Sequence, residues 1–263
     1  MHNIKSIRCG QGLGDSLYLQ SVCRYFVKVK KQRLKVATSW PDIFRPLGDV
    51  VSIIPFTRQG IDIVAHYTMR KGIKETTQFQ DCCLQAGIHE PVEMKLDWVP
   101  TNRKLISELK KHGKPIVLLQ LPRNPMGRAD GFGKELMPDC NVIQSVIDSI
   151  KHRALIVQVG AGQPIFEFAG VDIDLSNKTS VSDLLDISSV ADGFLGYCSF
   201  MVPLAESFGK PGLFVWSSRG LRSIEPFIAR ITPRKILHCN TSSYVMDNWT
   251  QEQITEVTNG FLL

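Results

Sequence analysis

The stretch from Val181 to Gly220, VSDLLDISSVADGFLGYCSFMVPLAESFGKPGLFVWSSRG, leaves the chain few ways to fold. Two apolar runs, Phe194 to Tyr197 and Leu213 to Trp216, are too short for helices and too apolar for surface loops. Between them Met201 to Phe208 reads as a short helix closed by Gly209 before Pro211, and Val181 to Ser189 reads as the helix ahead of them. Strand, helix and strand in that order, with both strands apolar throughout, specify a parallel sheet covered by helices on both faces. Ligands of such sheets bind beyond the carboxyl ends of the strands. The polar loops at Cys198–Ser199 and Ser217–Gly220, with Arg219 in the second, occupy two such ends.

The rest of the second half extends this sheet. Pro115 to Leu121 (PIVLLQL) is a nearly all-apolar strand, followed by an irregular loop from Pro122 to Pro138 that carries Arg123, Arg128 and Lys134. That loop is either a plain surface loop or a grip on a diphosphate, which guanidinium groups match in geometry. Asp139 caps a helix over Val142 to Lys151, and the strand Ala154 to Val159 ends in the backbone-exposing turn Gly160-Ala-Gly162. Glu167, a few residues on, is either a ribose-binding carboxylate or a solvated one. Val171 to Leu175 is a short strand or edge piece, and Ser176 to Ser180 caps the helix that follows. Ile236 to Cys239 is a candidate last strand, and Thr250 to Phe261 a terminal helix.

The first half begins with a strand, Ile4 to Cys9, then Gly10-Gln-Gly12-Leu13-Gly14, Asp15, a helix over Ser16 to Val27 and a strand over Leu34 to Thr38. The glycines are spaced GxGxG, so the dinucleotide fingerprint GxGxxG is absent. A glycine turn into a helix still aims free N–H groups at a crevice. Asp15 is either a cap or a general base held there, and a helix start predicts a depressed pKa for it. Trp40-Pro-Asp leads into a short helix through Leu47. Strands follow at Val50 to Ile54 and Ile61 to Ala65, with His66 and Tyr67 just past the second. Thr76 to Ala86 is a helix, and His89 to Pro100 an extended exit. Two Rossmann-like domains facing a cleft result, residues 1–105 and 106–263, with the cleft as the default site.

Composition removes several function classes. No apolar run approaches the length of a membrane span, and MHNIKSIRCG lacks the apolar region of a secretory signal. Seven cysteines without framework spacing predict reduced thiols and a cytoplasmic setting. Six histidines show no metal-ligand spacing. A net charge of +6 suits an anionic substrate, but no helix-turn-helix, finger or RNP pattern accompanies it. No P-loop and no serine nucleophile elbow occur.

Two motifs, in order, carry a resemblance. GLGDSLYLQSVCRYF (Gly12 to Phe26) resembles the first glycine loop and helix of the ADP-heptose:lipopolysaccharide heptosyltransferases, glycosyltransferase family 9. SVSDLLDISSVADGFLGYCSFMVPLAESFGKPGLFVWSSRG (Ser180 to Gly220) resembles the later signature of the same family, and VATSWPD and QDCCLQAGI fit its less specific parts. The chain would be a short, divergent member, of the kind a phage could encode, acting then in the host cytoplasm.

The resemblance implies a GT-B fold in the α/β class, two Rossmann-like domains with mostly parallel sheets. The amino domain would hold the acceptor and the carboxyl domain a nucleoside-diphosphate sugar; the final helix is free to pack back on the amino domain. Transfer would be inverting, without metal or other cofactor. Asp15 takes the catalytic position, with Gly12, Leu13, Gly14, Trp40 and His66 around the acceptor. The donor side would comprise Arg123, Arg128, Lys134, Gly160, Gly162, Glu167, Cys198, Ser199, Phe200, Met201 and Arg219. The family's Asp-Ser/Thr-Gly falls on Cys198, Ser199 and Phe200 and its histidine on Pro203, so most of its polar sugar-handling groups are gone. The acceptor would be a glycan or a hydroxylated base in duplex DNA. The alternative is a sugar-nucleotide-binding protein without catalysis.

Overall fold

A computed structural model describes residues 4–67, 76–123, 137–219, 233–239 and 241–262. The first half is a four-stranded parallel sheet ordered β3-β2-β1-β4, with β1 at Lys5–Arg8, β2 at Leu34–Thr38, β3 at Val51–Pro55 and β4 at Ile63–Val64. The second is a six-stranded parallel sheet ordered β10-β9-β8-β5-β6-β7. Its strands are β5 at Ile116–Gln120, β6 at Leu155–Val159, β7 at Ile173–Asp174, β8 at Gly193–Tyr197, β9 at Gly212–Trp216 and β10 at Ser242–Met246. Every residue of β5, β6, β8 and β9 is buried, which is why these strands read as unbroken apolar runs. Carboxylates pin the strand starts by accepting N–H groups: Asp62 from Ser6 (2.7 Å), Asp192 from Ile116 (2.9 Å) and Asp172 from Ile156 (2.8 Å).

Helix α1, Leu13–Lys28, starts ahead of the expected Ser16, because Gly12 takes the extended cap conformation and Leu13 and Gly14 already lie in the helix. It buries Leu17, Leu19, Val22 and Phe26 over the first sheet. A 3-10 segment at Pro41–Val50 follows β2. Helix α2, Gln78–Gln85, is capped by Thr77, and α3, Arg103–Lys110, by Asn102. Helices α4 (Cys140–Ile150), α5 (Val181–Val190) and α6 (Met201–Ser207) cover the second sheet, with the expected Asp139 cap on α4.

The sequence places the last strand wrongly. Pro233–Ile236 is a short helix, α7, and the strand lies later, at β10. The N–H groups of His238 and Cys239 donate to the Glu206 carboxylate (2.7 and 3.0 Å) instead of to a ladder. Burial pushes that carboxyl up to about 7. The real strand, SSYVM, was hidden by its polar first half, which sits at the sheet edge. Helix α8, Gln251–Asn259, packs on α4 and β10.

One apolar cluster runs through both halves, from Ile7 and Leu17 to Phe194 and Met201. Helix α1 lies against α6, and Gly14 makes the approach possible: a Cβ there would stand 3.3 Å from the Pro203 ring and 3.4 Å from Phe200 Cα. The extended exit segment is bound on both sides, with Lys95 N–H donating to Ser21 Oγ (3.2 Å) and Leu96 N–H to the Ser207 carbonyl (2.8 Å).

Its far end is fixed by Asp186, a fully buried carboxylate on α5. Asp186 accepts hydrogen bonds from the Trp98 indole (2.6 Å), Thr101 N–H (3.0 Å), Thr101 Oγ1 (3.1 Å) and Asn102 N–H (2.6 Å). The Arg45 guanidinium, from the first half, lies 3.8 Å over the Trp98 ring. Burial alone would raise the Asp186 carboxyl, but the donors from Asn102, Trp98 and Thr101 outweigh it and hold the group below its ordinary value.

A depressed carboxyl stabilises the fold above its unfolded pKa, and that stability is lost as pH falls through the folded one. The Asp186→Ala variant is therefore expected to lose about 3 kcal/mol at pH 7 in urea unfolding. Asp186→Asn should show a flatter loss than the native chain below about pH 4. A cost under about 1 kcal/mol for Asp186→Ala would mean that these donors find other partners.

Candidate functional site

In each sheet the strand order reverses beside one central strand, and a crevice opens there. In the first sheet β1 stands between β2 and β4, so the crevice lies beyond Arg8 and Val64, where Cys9–Gly10 and Ala65–Tyr67 emerge. In the second, β5 stands between β6 and β8, and the crevice lies beyond Gln120 and Tyr197. The two crevices open into one cleft of about 950 Å³. Asp15, Tyr18, Trp40 and Tyr67 form its first-half wall, and Gln120, Arg123, Tyr197 and Ser199 belong to the other.

Asp15 is held in the first turn of α1. Its Oδ2 accepts the Gly12 N–H (3.1 Å), and the Tyr67 hydroxyl donates to the same carboxyl. The backbone of Gly10 passes directly beneath: a Cβ on residue 10 would lie 2.1 Å from Asp15 Oδ2 and 3.0 Å from His66 Nε2. Burial raises the Asp15 carboxyl above its ordinary value, against the His66 charge, the Gly12 N–H and the Tyr67 hydroxyl, which all lower it. The helix start therefore does not set this group, contrary to the expectation of a depressed pKa. Its field is small beside the loss of water around the carboxyl. Burial and the Asp15 charge also push the Tyr67 phenol well up, so it remains a donor.

On the opposite wall Ser199 donates to Gln120 Oε1 (2.5 Å) and accepts the Met201 N–H (3.3 Å). Gln120 was missed by sequence reasoning, although a polar residue closing PIVLLQL was a visible signal. The Cys198 thiol, pushed up to about 12 by burial, is neutral. The Gly160–Gly162 turn takes φ values of 134° and 116°, which only glycine adopts readily. Asn177 clamps it, accepting the Gly162 N–H (2.7 Å) and donating to the Gly162 carbonyl (3.1 Å). Arg123 Nη1 donates to the Ala161 carbonyl (2.7 Å), so this guanidinium is tethered to the turn.

Gly12, Leu13, Gly14, Trp40, Gly160, Cys198 and Phe200 all lie on the cleft wall. The Trp40 indole is committed to the Gln11 carbonyl (2.9 Å). Met201 is buried in the core, and His66 sits behind the wall beside Asp15. Gly162 flanks the wall through its turn. Glu167 is exposed and Arg219 donates to the Met137 carbonyl (2.9 Å); among the described residues neither forms the cleft wall. Arg128 and Lys134 lie outside the described residues. Tyr18, Thr179 and Ser180 line the cleft without having been singled out as site residues. Among the described residues, one group has donor atoms close enough to share a metal ion: Cys9, Asp15 and His66.

No protein-family model matches the chain, and no curated protein matches its sequence. Solved structures do match in fold. The iron-containing glycosyltransferase TibC of enterotoxigenic E. coli H10407 superposes with a TM-score of 0.58 at 14% identity, covering 97% of this chain and 69% of that one. E. coli heptosyltransferase WaaC with ADP gives 0.58 at 9% identity, over 97% and 99% of the two chains. E. coli ADP-heptose lipopolysaccharide heptosyltransferase II gives 0.57 at 11%, over 98% of each. The chain has the GT-B fold of these enzymes.

A carboxyl raised by folding is a net cost wherever it is ionised, at pH above its folded pKa, and that cost vanishes on protonation. Asp15→Asn is accordingly expected to unfold at higher urea than the native chain at pH 7, with the difference closing by about pH 3. A variant less stable at pH 7 would show that the Gly12 and Tyr67 bonds outweigh desolvation.

Proposed function

We propose that this chain is a glycosyltransferase that moves a sugar from a nucleoside-diphosphate sugar to an acceptor hydroxyl, with Asp15 as the base. The observation that carries this is the half-buried Asp15 carboxyl, raised above its ordinary value, at the crevice of one sheet and facing the crevice of the other across the cleft. A raised carboxylate is a stronger base than a free one and better matched to a hydroxyl proton. Its GT-B fold neighbours include TibC in complex with ADP-D-β-D-heptose, a nucleotide-sugar, which supports the same donor class here.

In this reading the acceptor binds against the first half, near Trp40 and Tyr67, and the donor against the second. The acceptor O–H gives its proton to Asp15 while its oxygen attacks the anomeric carbon from the face opposite the leaving group. The bond from that carbon to the diphosphate breaks, the configuration inverts, and the nucleoside diphosphate leaves with the electron pair. The Ala161, Ser199 and Phe200 backbone and the Arg123 guanidinium line the donor side of the cleft, where that negative charge grows. Turnover by this route needs no metal ion. The acceptor is a glycan or a hydroxylated base in duplex DNA, of which only the second predicts steep salt dependence. Seven cysteines unpaired in the structure favour a reducing compartment, and among the described residues no helix is long and apolar enough to cross a membrane.

A second reading, donor binding without transfer, draws on Cys198 and Pro203, which stand where the resemblance expects an aspartate and a histidine, and on Phe200, which stands where it expects a glycine. One experiment separates the two. Nucleoside diphosphates and their sugars are screened for binding, and the bound donor is then offered glycan and hydroxymethylated-DNA acceptors. Asp15→Asn is expected to keep the nucleoside-diphosphate Kd and to lower kcat about 10²- to 10⁴-fold. Unchanged turnover in that variant removes Asp15 from the mechanism, and binding with no transfer to any acceptor supports the second reading.

A further inference from the structure

Behind the cleft wall, the transfer mechanism leaves one cluster unused. A sulfur of Cys9, a carboxylate oxygen of Asp15 and a ring nitrogen of His66 all lie within 4.8 Å of one another. We propose that these three side chains bind a single divalent transition-metal ion of the zinc class, and that an ion held there caps Asp15 and stops transfer.

The donor set fits that ion class. Tetrahedral zinc with bonds of about 2.0–2.3 Å places its donors roughly 3.4–3.8 Å apart. Side chains already within 4.8 Å reach that spacing by small rotations. A thiolate with an imidazole selects zinc-like ions over magnesium or calcium, which take oxygen ligands.

The frame is rigid where it matters. Cys9 and His66 leave neighbouring parallel strands, β1 and β4, whose ends are joined by the Ala65 N–H to the Arg8 carbonyl (2.8 Å). Outer partners also exist, as metal ligands require. The Cys82 thiol is hydrogen-bonded to Cys9, and the Tyr67 hydroxyl and Gly12 N–H bond Asp15. The Tyr67 ring stacks on His66 at 4.5 Å.

Three protein ligands leave a fourth position open, and Asp15 of the three lines the cleft beside Tyr67. Binding displaces the Cys9 thiol proton to solvent and engages the Asp15 lone pair. A carboxylate so engaged cannot accept the acceptor proton. The capping step rests on the transferase reading of Asp15; the metal site does not.

The test uses the full reduced chain and cobalt(II) as the probe. One equivalent is expected to give a thiolate-to-cobalt charge-transfer band that Cys9→Ser abolishes and Cys140→Ser leaves intact. His66→Gln, at a half-buried position, should weaken cobalt binding at least tenfold, which keeps the site testable if Cys9→Ser does not fold. A band that survives Cys9→Ser, affinity unchanged in His66→Gln, or no band at all overturns the site. In transfer assays zinc should inhibit the native chain, chelator should restore it, and Cys9→Ser should resist. Cobalt bound at this site with zinc-insensitive transfer overturns the capping step. A chain that transfers no sugar but binds cobalt through Cys9 and His66 removes the transferase reading and leaves the metal site standing.

Discussion

The cleft exists because Asp186 fixes the segment that joins the two sheets. Its carboxylate, fully buried on α5, collects four donors from Trp98, Thr101 and Asn102, and Trp98 in turn carries the Arg45 guanidinium of the first half. A buried charge is tolerable only when it is saturated with donors, so the exit segment has little freedom in where it crosses. With that crossing set, α1 and α6 meet at one place, and the glycine at position 14 lets them meet closely. The spacing between the two crevices is then a property of the core, which runs without a break through both halves.

The same closure decides the chemistry of Asp15. Its position at a helix start favours ionisation by an amount worth less than about 1 kcal/mol at an exposed site. Removing water from a carboxyl can move its pKa by several units in the other direction. Phe200 and Pro203 press against Gly14, one residue from Asp15, so apolar groups of the second half help to dry the site. The departures from the heptosyltransferase pattern at 198, 200 and 203 thus have a structural effect of their own. They remove polar contacts to a sugar and add apolar wall beside the base.

Much of this was readable in the chain and some was not, for physical reasons. The buried strands were visible because burial on both faces demands apolar runs, and the glycine turn with Asp15 because helix starts have local chemistry. The true β10 was hidden because an edge strand keeps polar residues. The false strand at Ile236–Cys239 was excluded by Glu206, more than thirty positions away, which takes the N–H groups a ladder would need. Asp186 looked like an ordinary polar position in VSDLLDISSV, since its partners lie 84 to 88 residues upstream. Arg123 was legible as a cation near a strand end but not as one tethered to Ala161. Local patterns show in sequence; pairings set by topology do not.

The cluster of Cys9, Asp15 and His66 is the sharpest case of topology making chemistry. Cys9 and His66 are 57 positions apart, and no ligand spacing joins them in the sequence. They become neighbours because β4 adds to β1 on the side away from β2, which is the strand order that also opens the crevice. The arrangement that places Asp15 on the cleft wall therefore brings it a thiol and an imidazole as well. A half-buried carboxyl beside two such groups can lower its own cost in two ways, by holding a proton or by sharing a cation. Which of these prevails depends on pH and on free metal. In the transferase reading proposed above, both take up the lone pair that transfer would need.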